Sequence, residues 1–180
     1  MSSYNRSLYL RYADALRHPG HFSTAISEFF AKDANINVVH PFNEIQSADA
    51  FFLKFMAPLQ QAFEGLYRRD YIFMTGQFEG KDWISSTGYY VGRFAKDWIG
   101  IKATDTLCYL RYGEFHQVKN GKVVESYIYL DIPELMIACN EWPLKMGPGL
   151  SRGYTGLIQG PASRDGVIAK ASDPNEGQRS

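Results

Sequence analysis

Apolar side chains in the first part of the chain recur with the period of an α-helix. This pattern predicts three helices, the third of which extends from Ala48 to about Glu64 behind an N-cap at Ser47. The apolar positions are Tyr9, Tyr12, Ala13 and Leu16 in the first helix, Phe22, Ala25, Ile26, Phe29 and Phe30 in the second, and Phe51, Phe52, Phe55, Met56, Leu59 and Phe63 in the third. Pro58 falls inside the third pattern and should kink or split that helix at Ala57. Because the third helix is the most apolar, we expect it to pack into the concave side of a sheet.

The pattern after Gly65 changes to the period-two alternation that is typical of β-strands. Gly88 and Gly92 fall within one predicted strand and would allow bends or bulges. Helices come first, then strands, then one short helix. This order predicts an α+β domain in which a strongly curved antiparallel sheet wraps around the N-terminal helices. The predicted strands cover residues 36–40, 67–75, 83–94, 107–118 and 122–130.

The last two predicted strands form a hairpin whose register can be read from its turn. Asn120-Gly121 is the strongest short-range signal for a type I′ turn, and it predicts that Lys119 pairs with Lys122. Alternation then puts eight side chains on one face. They are Leu110, Tyr112, Glu114, His116, Glu125, Tyr127, Tyr129 and Asp131. The other face is mainly apolar: Tyr109, Arg111, Phe115, Val124, Ser126, Ile128 and Leu130. We predict that the mixed face, which carries tyrosines, acids and a histidine, lines a pocket.

Several of these polar groups also have purely structural interpretations. Glu114 and Glu125 could be exposed, with His116 and Glu125 forming an ordinary cross-strand pair. Asp131 ends the second strand directly before an apolar helix at residues 133–139, so it could be the N-cap of that helix. Capping a helix does not exclude a chemical role for the same carboxylate.

Composition narrows the classes of partner. The chain has 180 residues, a formal net charge of zero and 15% aromatic residues, so it gives no reason to expect binding to nucleic acid or to an anionic membrane. Cys108 and Cys139 show no CxxC spacing and predict no disulfide framework. The first residues lack an apolar signal core, and no stretch approaches the roughly 20 apolar residues of a membrane span. We therefore expect a reduced, cytoplasmic setting.

The C-terminal segment differs from the rest of the chain. Residues 147–180 contain seven glycines, three prolines and few apolar side chains. Such a composition predicts a linker, an extended arm or a partly disordered tail after a single domain of residues 1–146.

Three sequence blocks resemble those of the SnoaL-like polyketide cyclases, which belong to the nuclear transport factor two-like superfamily. The blocks are residues 98–104, 110–116 and 121–131, and the resemblance covers most of residues 4–140. It implies a cone-shaped, cystatin-like fold with a hydrophobic pocket at its open end, and homodimers packed through the sheets. It also implies that the tail resembles the connector of proteins with two tandem copies, with residues 173–177 similar to the start of a second copy.

The resemblance also implies a chemistry, an intramolecular aldol ring closure without metal or cofactor. The family's acid/base aspartate corresponds to Asp131, and a nearby histidine corresponds to His116. The two lie about four residues apart along the predicted strands, roughly 13–14 Å, which a substrate could span. His116, Tyr112 or Tyr129 could donate to the developing oxyanion. The family's helix ending Gln-x-Gly is missing at residues 138–143, so the rim of the pocket should differ.

Further residues are candidates for contact with a small hydrophobic ligand. They are Tyr112, Tyr127, Tyr129, His40, Tyr90 and Phe55. A metal set of His40, His116 and Asp131 is conceivable, but their spacing gives no support for it, so we expect neither metal nor cofactor. Three functions remain open: a cofactor-independent cyclase or isomerase for a small hydrophobic carbonyl compound, a non-catalytic binding or accessory domain, and a hydrolase or dehydratase in the same cone.

Overall fold

The computed structural model describes residues 2–18 and 20–144, and the tail and the suggested second copy lie outside these residues. The helices are α1 (Ser2–Ala15), α2 (Phe22–Phe29), α3 (Ala48–Phe51), α4 (Ala57–Ala62) and α5 (Ile132–Ala138). The strands are β1 (Phe30–Val38), β2 (Asn43–Gln46), β3 (Phe63–Phe78), β4 (Lys81–Phe94), β5 (Leu107–Lys119) and β6 (Lys122–Leu130). Among the described residues, no helix is long and apolar enough to cross a membrane.

The six strands form one curved, unclosed sheet in the order β2-β1-β6-β5-β4-β3. The predicted α+β fold is therefore confirmed. The sheet is mixed, however, because β1 pairs with β6 in parallel while all other pairs are antiparallel. Parallel neighbours need a crossover connection, and the long segment from β2 to β5 supplies one. The alternation pattern of single strands carries no information about such a long-range pairing.

The helices fill the concave side of the sheet. The predicted apolar positions are buried except for Phe52, which is partly buried, and the ring of Tyr12 on α1 stacks on Phe29 of α2 with centroids 4.0 Å apart. Phe30 and Phe63, predicted on helices, begin β1 and β3 instead. Ser47 caps α3 as predicted, because its side chain accepts a hydrogen bond from the Ala50 N–H at 3.1 Å. The predicted interruption near Pro58 is a π-helical turn, Phe52–Met56, between α3 and α4. Pro58 has no N–H to donate, and the wider turn just before it adapts the helix to that loss.

The β5–β6 hairpin has the predicted turn but a different register. Lys119 pairs with Lys122, and Asn120 and Gly121 have positive φ angles as a type I′ turn requires. Val118 then pairs with Val123, whereas Gln117 pairs with Glu125, so that a β-bulge leaves Val124 as an extra residue. The bulge shifts every later pair by one residue. The prediction that all eight polar and aromatic side chains share one face is therefore wrong.

Candidate active site

A cluster of buried polar side chains lies between α1 and the concave face of β3, β4, β5 and β6. We call it the Arg68 cluster, after its central residue. Because burying charges without partners is costly, a cluster of this kind has to be held by hydrogen bonds and opposite charges. Its members are Tyr9, Arg68, Asp70, Ser86, Tyr112, Glu114, His116 and Ser126.

Arg68 is the hub of the cluster, and each of its three guanidinium nitrogens donates to a neighbour. Nε donates to Asp70 Oδ1 at 2.9 Å and to the Tyr112 hydroxyl at 3.0 Å. Nη1 and Nη2 donate to the two carboxylate oxygens of Glu114 at 3.0 and 2.7 Å, a bidentate pair. Nη2 also donates to the Tyr9 hydroxyl at 3.0 Å. Burial opposes the charge on Arg68, but the charges of Asp70 and Glu114 outweigh it and raise the pKa of Arg68 well above its ordinary value.

The two carboxylate oxygens of Asp70 differ in their hydrogen bonding. Its Oδ1 accepts three hydrogen bonds, from Arg68 Nε, from the Tyr9 hydroxyl and from the Tyr112 hydroxyl, the last at 2.5 Å. Its Oδ2 is buried and has no hydrogen-bond partner within the described part of the chain. Unpaired buried polar atoms are rare in folded proteins. The carboxylate is thus held rigidly through one oxygen, while the other is left as a free acceptor.

Glu114 connects Arg68 to a histidine. Burial would raise the pKa of Glu114, but the charge of Arg68 and the hydrogen bond from His116 lower it to about 2. The ionised carboxylate can only accept, so His116 Nε2–H donates to Glu114 Oε2 at 3.1 Å. On a neutral ring, Nδ1 then accepts from the Ser126 hydroxyl at 2.7 Å. This chain of hydrogen bonds fixes the tautomer of His116.

Tyr12 adds a second unpaired group beside the cluster. Its ring lies 5.3 Å from Arg68 Cζ, and its buried hydroxyl has no hydrogen-bond partner among residues 2–18 and 20–144. Burial raises the pKa of Tyr12 well above its ordinary value, and the charge of Glu114 raises it further. The hydroxyl is therefore a protonated donor without an acceptor, in the same buried centre as Asp70, which offers an acceptor without a donor.

The structure brings three of the predicted site residues together. His116 and Tyr112 belong to the Arg68 cluster, and the ring of Tyr90 lies 5.8 Å from Arg68 Cζ and 5.2 Å from the Tyr112 ring. The prediction of which β5 side chains share this face of the sheet was thus correct. On β6, the bulge turns Ser126 toward this cluster in place of Glu125.

The other predicted site residues lie elsewhere. Tyr127 and Tyr129 are on the outer face of the sheet, 37% and 55% exposed, because the bulge reverses the side on which they project. His40 is exposed in the turn after β1. Phe55 is buried, but it packs against Phe42 and Phe51, away from the Arg68 cluster. The structure therefore does not bring these four side chains to one site.

Asp131 has the capping geometry that was the alternative interpretation. Its side chain accepts a hydrogen bond from the Glu134 N–H at 3.0 Å and so caps α5. Its own N–H donates to the Arg111 carbonyl at 2.9 Å, which sets it beside the outward-facing Arg111 rather than beside His116. Asp131 and His116 thus lie on opposite sides of the sheet, and the predicted span between them within one pocket is wrong.

Sequence reasoning missed Arg68 and Asp70. A signal was available, because Leu66, Arg68 and Asp70 alternate on one face of a strand, and opposite charges two residues apart next to an apolar side chain are unlike a solvated face. Tyr9 and Tyr12 were assigned to the apolar stripe of α1, and only the tertiary structure shows where their hydroxyls point.

In residues 2–18 and 20–144, no group of three or more histidine, cysteine, aspartate or glutamate side chains is arranged to hold a metal ion.

Comparison with known proteins identifies the fold through solved structures. Neither a protein-family model nor a curated protein sequence matches the chain. Among solved structures, AclR from Streptomyces galilaeus, provisionally assigned as a hydroxylase, is similar with a TM-score of 0.66 at 20% identity, over 79% of this chain and 100% of that chain. A provisionally assigned SnoaL-like polyketide cyclase from Jannaschia sp. gives 0.61 at 16% identity, over 79% and 95%.

A third solved structure carries the superfamily name itself. The NTF2-like protein from Burkholderia thailandensis gives a TM-score of 0.58 at 17% identity, over 77% of this chain and 97% of that chain. Likeness at such low identity establishes a fold and leaves activity open. The resemblance noted in residues 98–131 is thereby confirmed at the level of the fold, and the chain has the NTF2-like cone that SnoaL-like polyketide cyclases share.

Proposed function

We propose that the protein is a cofactor-independent enzyme of the cyclase or isomerase type that acts on a small hydrophobic carbonyl compound. The observation that carries this proposal is the pair of complementary unpaired groups, Asp70 Oδ2 and the Tyr12 hydroxyl. Enolisation needs a base at the α-carbon and a donor at the carbonyl oxygen. Among the described residues, the buried centre offers one such acceptor and two such donors, because the Tyr90 hydroxyl is also buried without a partner, and we assign the donor role to Tyr12.

In this mechanism Asp70 takes the role that the resemblance gave to Asp131. Asp70 Oδ2 removes a proton from the substrate α-carbon, and the electron pair moves to the carbonyl oxygen. The Tyr12 hydroxyl donates a hydrogen bond to that oxyanion. If Asp70 returns this proton to a different carbon of the enolate, the reaction is an isomerisation. If the enolate instead attacks a second carbonyl of the same molecule, a ring closes, and Asp70 returns the proton to the new alkoxide oxygen. No electrons are gained or lost overall.

The other residues of the Arg68 cluster position the base. Tyr9, Tyr112 and Arg68 all bind Asp70 Oδ1, so the orientation of Oδ2 is fixed before a substrate arrives. Preorganised donors of this kind need no rearrangement during the reaction. Ketosteroid isomerase, in which an aspartate base works with hydrogen-bond donors, follows the same logic.

A second candidate function is non-catalytic binding of a small molecule. The enclosure of Arg68 favours this function over catalysis, because the Arg68 side chain is fully buried and all three of its guanidinium nitrogens are bonded within the protein. A network closed in this way also suits a purely structural role that selects one packing of the core.

Proton exchange separates the two candidates. We expect the wild type to accelerate exchange of the α-protons of 1-tetralone in D₂O, followed by proton NMR. Asp70→Asn should lose roughly 100-fold or more of that rate, because the variant lacks the base. Tyr112→Phe, which removes only one donor to Asp70, should retain part of it.

Asp33→Asn is the matched control, since Asp33 is an exposed aspartate on β1 and its loss should leave exchange unchanged. Exchange at the buffer rate with the wild type would contradict the catalytic proposal and favour the binding function. Exchange that survives in Asp70→Asn but is lost in Asp131→Asn would return the base to Asp131.

We also propose that two copies associate through the outer face of the sheet. Cross-strand neighbours on that face form a contiguous surface, in which Phe115 lies between Ser85 and Tyr127, and Gly113 lies between Thr87 and Tyr129. Phe115 is 47% exposed and Tyr129 is 55% exposed. Exposed apolar surfaces of this kind are typical of interaction sites.

The mass in solution tests the homodimer. Sedimentation equilibrium should give the dimer mass for the wild type and a shift toward the monomer for Phe115→Glu, because a charge at the centre of the face would be buried on association. Leu53→Glu is the control, since Leu53 is 67% exposed in the π-helical turn, away from this face. A monomeric wild type at all concentrations would refute the interface.

A further inference from the structure

A cleft with a volume of about 260 Å³ lies between α1, α2 and the turn of the β5–β6 hairpin. Tyr4 and Leu8 of α1 line it together with Gly121 of the turn, which lies against the Tyr4 side chain. Ligand sites in proteins usually have volumes of roughly 300–1,000 Å³. The cleft is slightly smaller, which suits a ligand of one or two rings.

The floor of the cleft is a layer of aromatic rings over the Arg68 cluster. Tyr12 and Phe29 line the cleft and stack on each other, with ring centroids 4.0 Å apart and planes 6° from parallel. Behind them, Arg68 Cζ lies 5.3 Å from the Tyr12 ring and the His116 ring lies 5.1 Å from Phe29. These two rings therefore lie between the cleft and the buried centre.

The rim of the cleft carries more positive than negative charge. Arg11 is exposed and makes no ion pair within the described part of the chain. The second cation, Lys122, donates to the carbonyls of Ser27 and Glu28. The carboxylate of Glu28 offsets one of these two cations. An anionic group on a ligand is therefore favoured next to Arg11, whose guanidinium fits a carboxylate.

We propose that this cleft binds a flat aromatic ligand with one acidic group, and that the ligand's ring packs beside the exposed Tyr4, over the edge of the buried Tyr12–Phe29 stack, while its acid faces Arg11. Binding in this cleft does not depend on the proposed function.

The binding test uses two probes of the same shape, 2-naphthoate and its neutral amide, 2-naphthamide. Isothermal titration with the full chain should give tighter binding of 2-naphthoate to the wild type. Arg11→Gln should weaken 2-naphthoate roughly tenfold, the usual scale of one charge-assisted hydrogen bond, and leave 2-naphthamide unchanged. Glu28→Gln should strengthen 2-naphthoate. Arg17→Gln is the control, because Arg17 follows α1 without lining the cleft.

Amide chemical shifts locate the bound probe. We expect 2-naphthoate to shift the amide signals of Leu8, Phe29 and Gly121. Absent binding, equal affinity for the two probes in wild type and Arg11→Gln, or shifts confined to the outer face of the sheet would each overturn the inference. Binding in the cleft without exchange of 1-tetralone protons would uphold the cleft and refute the proposed enzyme. Exchange without binding in the cleft would do the reverse.

Discussion

Replacing Arg68 with methionine should lower the free energy of unfolding at pH 7 by about 3–5 kcal/mol, the usual cost of removing one partner from a buried charge network. Methionine retains much of the side-chain length, so the loss reflects charge rather than volume. Asp70 and Glu114 would be left buried without the guanidinium that binds both of them. Urea denaturation measures the effect, because urea does not screen charges.

The pH dependence of Arg68→Met should differ in sign from that of the wild type. In the folded wild type the pKa of Glu114 is lowered to about 2. A carboxyl with a lowered folded pKa contributes stability that is present above its unfolded pKa, about 4.3, and is lost as the pH falls through the folded value. Without Arg68, burial dominates and raises the pKa of Glu114, so the variant should gain stability as acid neutralises the carboxyl. The difference between the two proteins should therefore shrink from pH 7 toward pH 4.

Arg93→Met is the matched control for this prediction. Arg93 also pairs with two carboxylates, those of Glu64 and Asp105, but its side chain is 48% exposed. Exposed pairs contribute about 0–1 kcal/mol, so Arg93→Met should cost much less than Arg68→Met at pH 7. Equal costs for the two variants would show that the Arg68 cluster is not an unusual electrostatic centre.

Local patterns were sufficient for most of the fold. The helical stripes and the cap at Ser47 depend on interactions within a few residues, and most appear as predicted. The exceptions are Phe30 and Phe63, which begin strands β1 and β3, and Phe52, which is only partly buried. The turn at Asn120-Gly121 is equally local, because type I′ geometry needs positive φ at both residues. The parallel pairing of β1 with β6 joins residues that lie about ninety positions apart, and no periodicity within either strand specifies it.

The site was predicted less well because one residue changes the outcome. The predicted register counted residue pairs outward from the correct turn and assumed that every residue of β5 pairs with one residue of β6. The extra residue Val124 breaks this pairing. Valine is an ordinary strand residue, so nothing in its type signals a bulge. His116 lies on the strand before the turn and was assigned to the correct face, whereas Tyr127 and Tyr129 follow the bulge and were assigned to the wrong one.

Gly88→Ala should also destabilise the protein strongly. We expect the free energy of unfolding to fall by about 3 kcal/mol, the upper end of the range for overpacking. A Cβ at Gly88 would lie 2.2 Å from the Arg69 carbonyl oxygen, 2.6 Å from the Tyr112 hydroxyl oxygen and 2.9 Å from Asp70 Cα. Two of these neighbours are backbone atoms of β3, which pairs with β4 at this point. The strand must therefore move, and Asp70 moves with it. Thermal or urea denaturation measures the loss.

The clash at Gly88 links stability to the geometry of the Arg68 cluster. Tyr112→Phe in the Gly88→Ala background should recover part of the loss, because it removes the hydroxyl oxygen 2.6 Å from the new Cβ, and the remainder should reflect the clash with the Arg69 carbonyl. Gly76→Ala is the control in β3, where a Cβ would meet nothing within 4 Å, and it should change the free energy of unfolding by less than about 0.5 kcal/mol. If Gly88→Ala were equally harmless, β3 and β4 would not need the close approach that brings Asp70 to the Tyr112 hydroxyl.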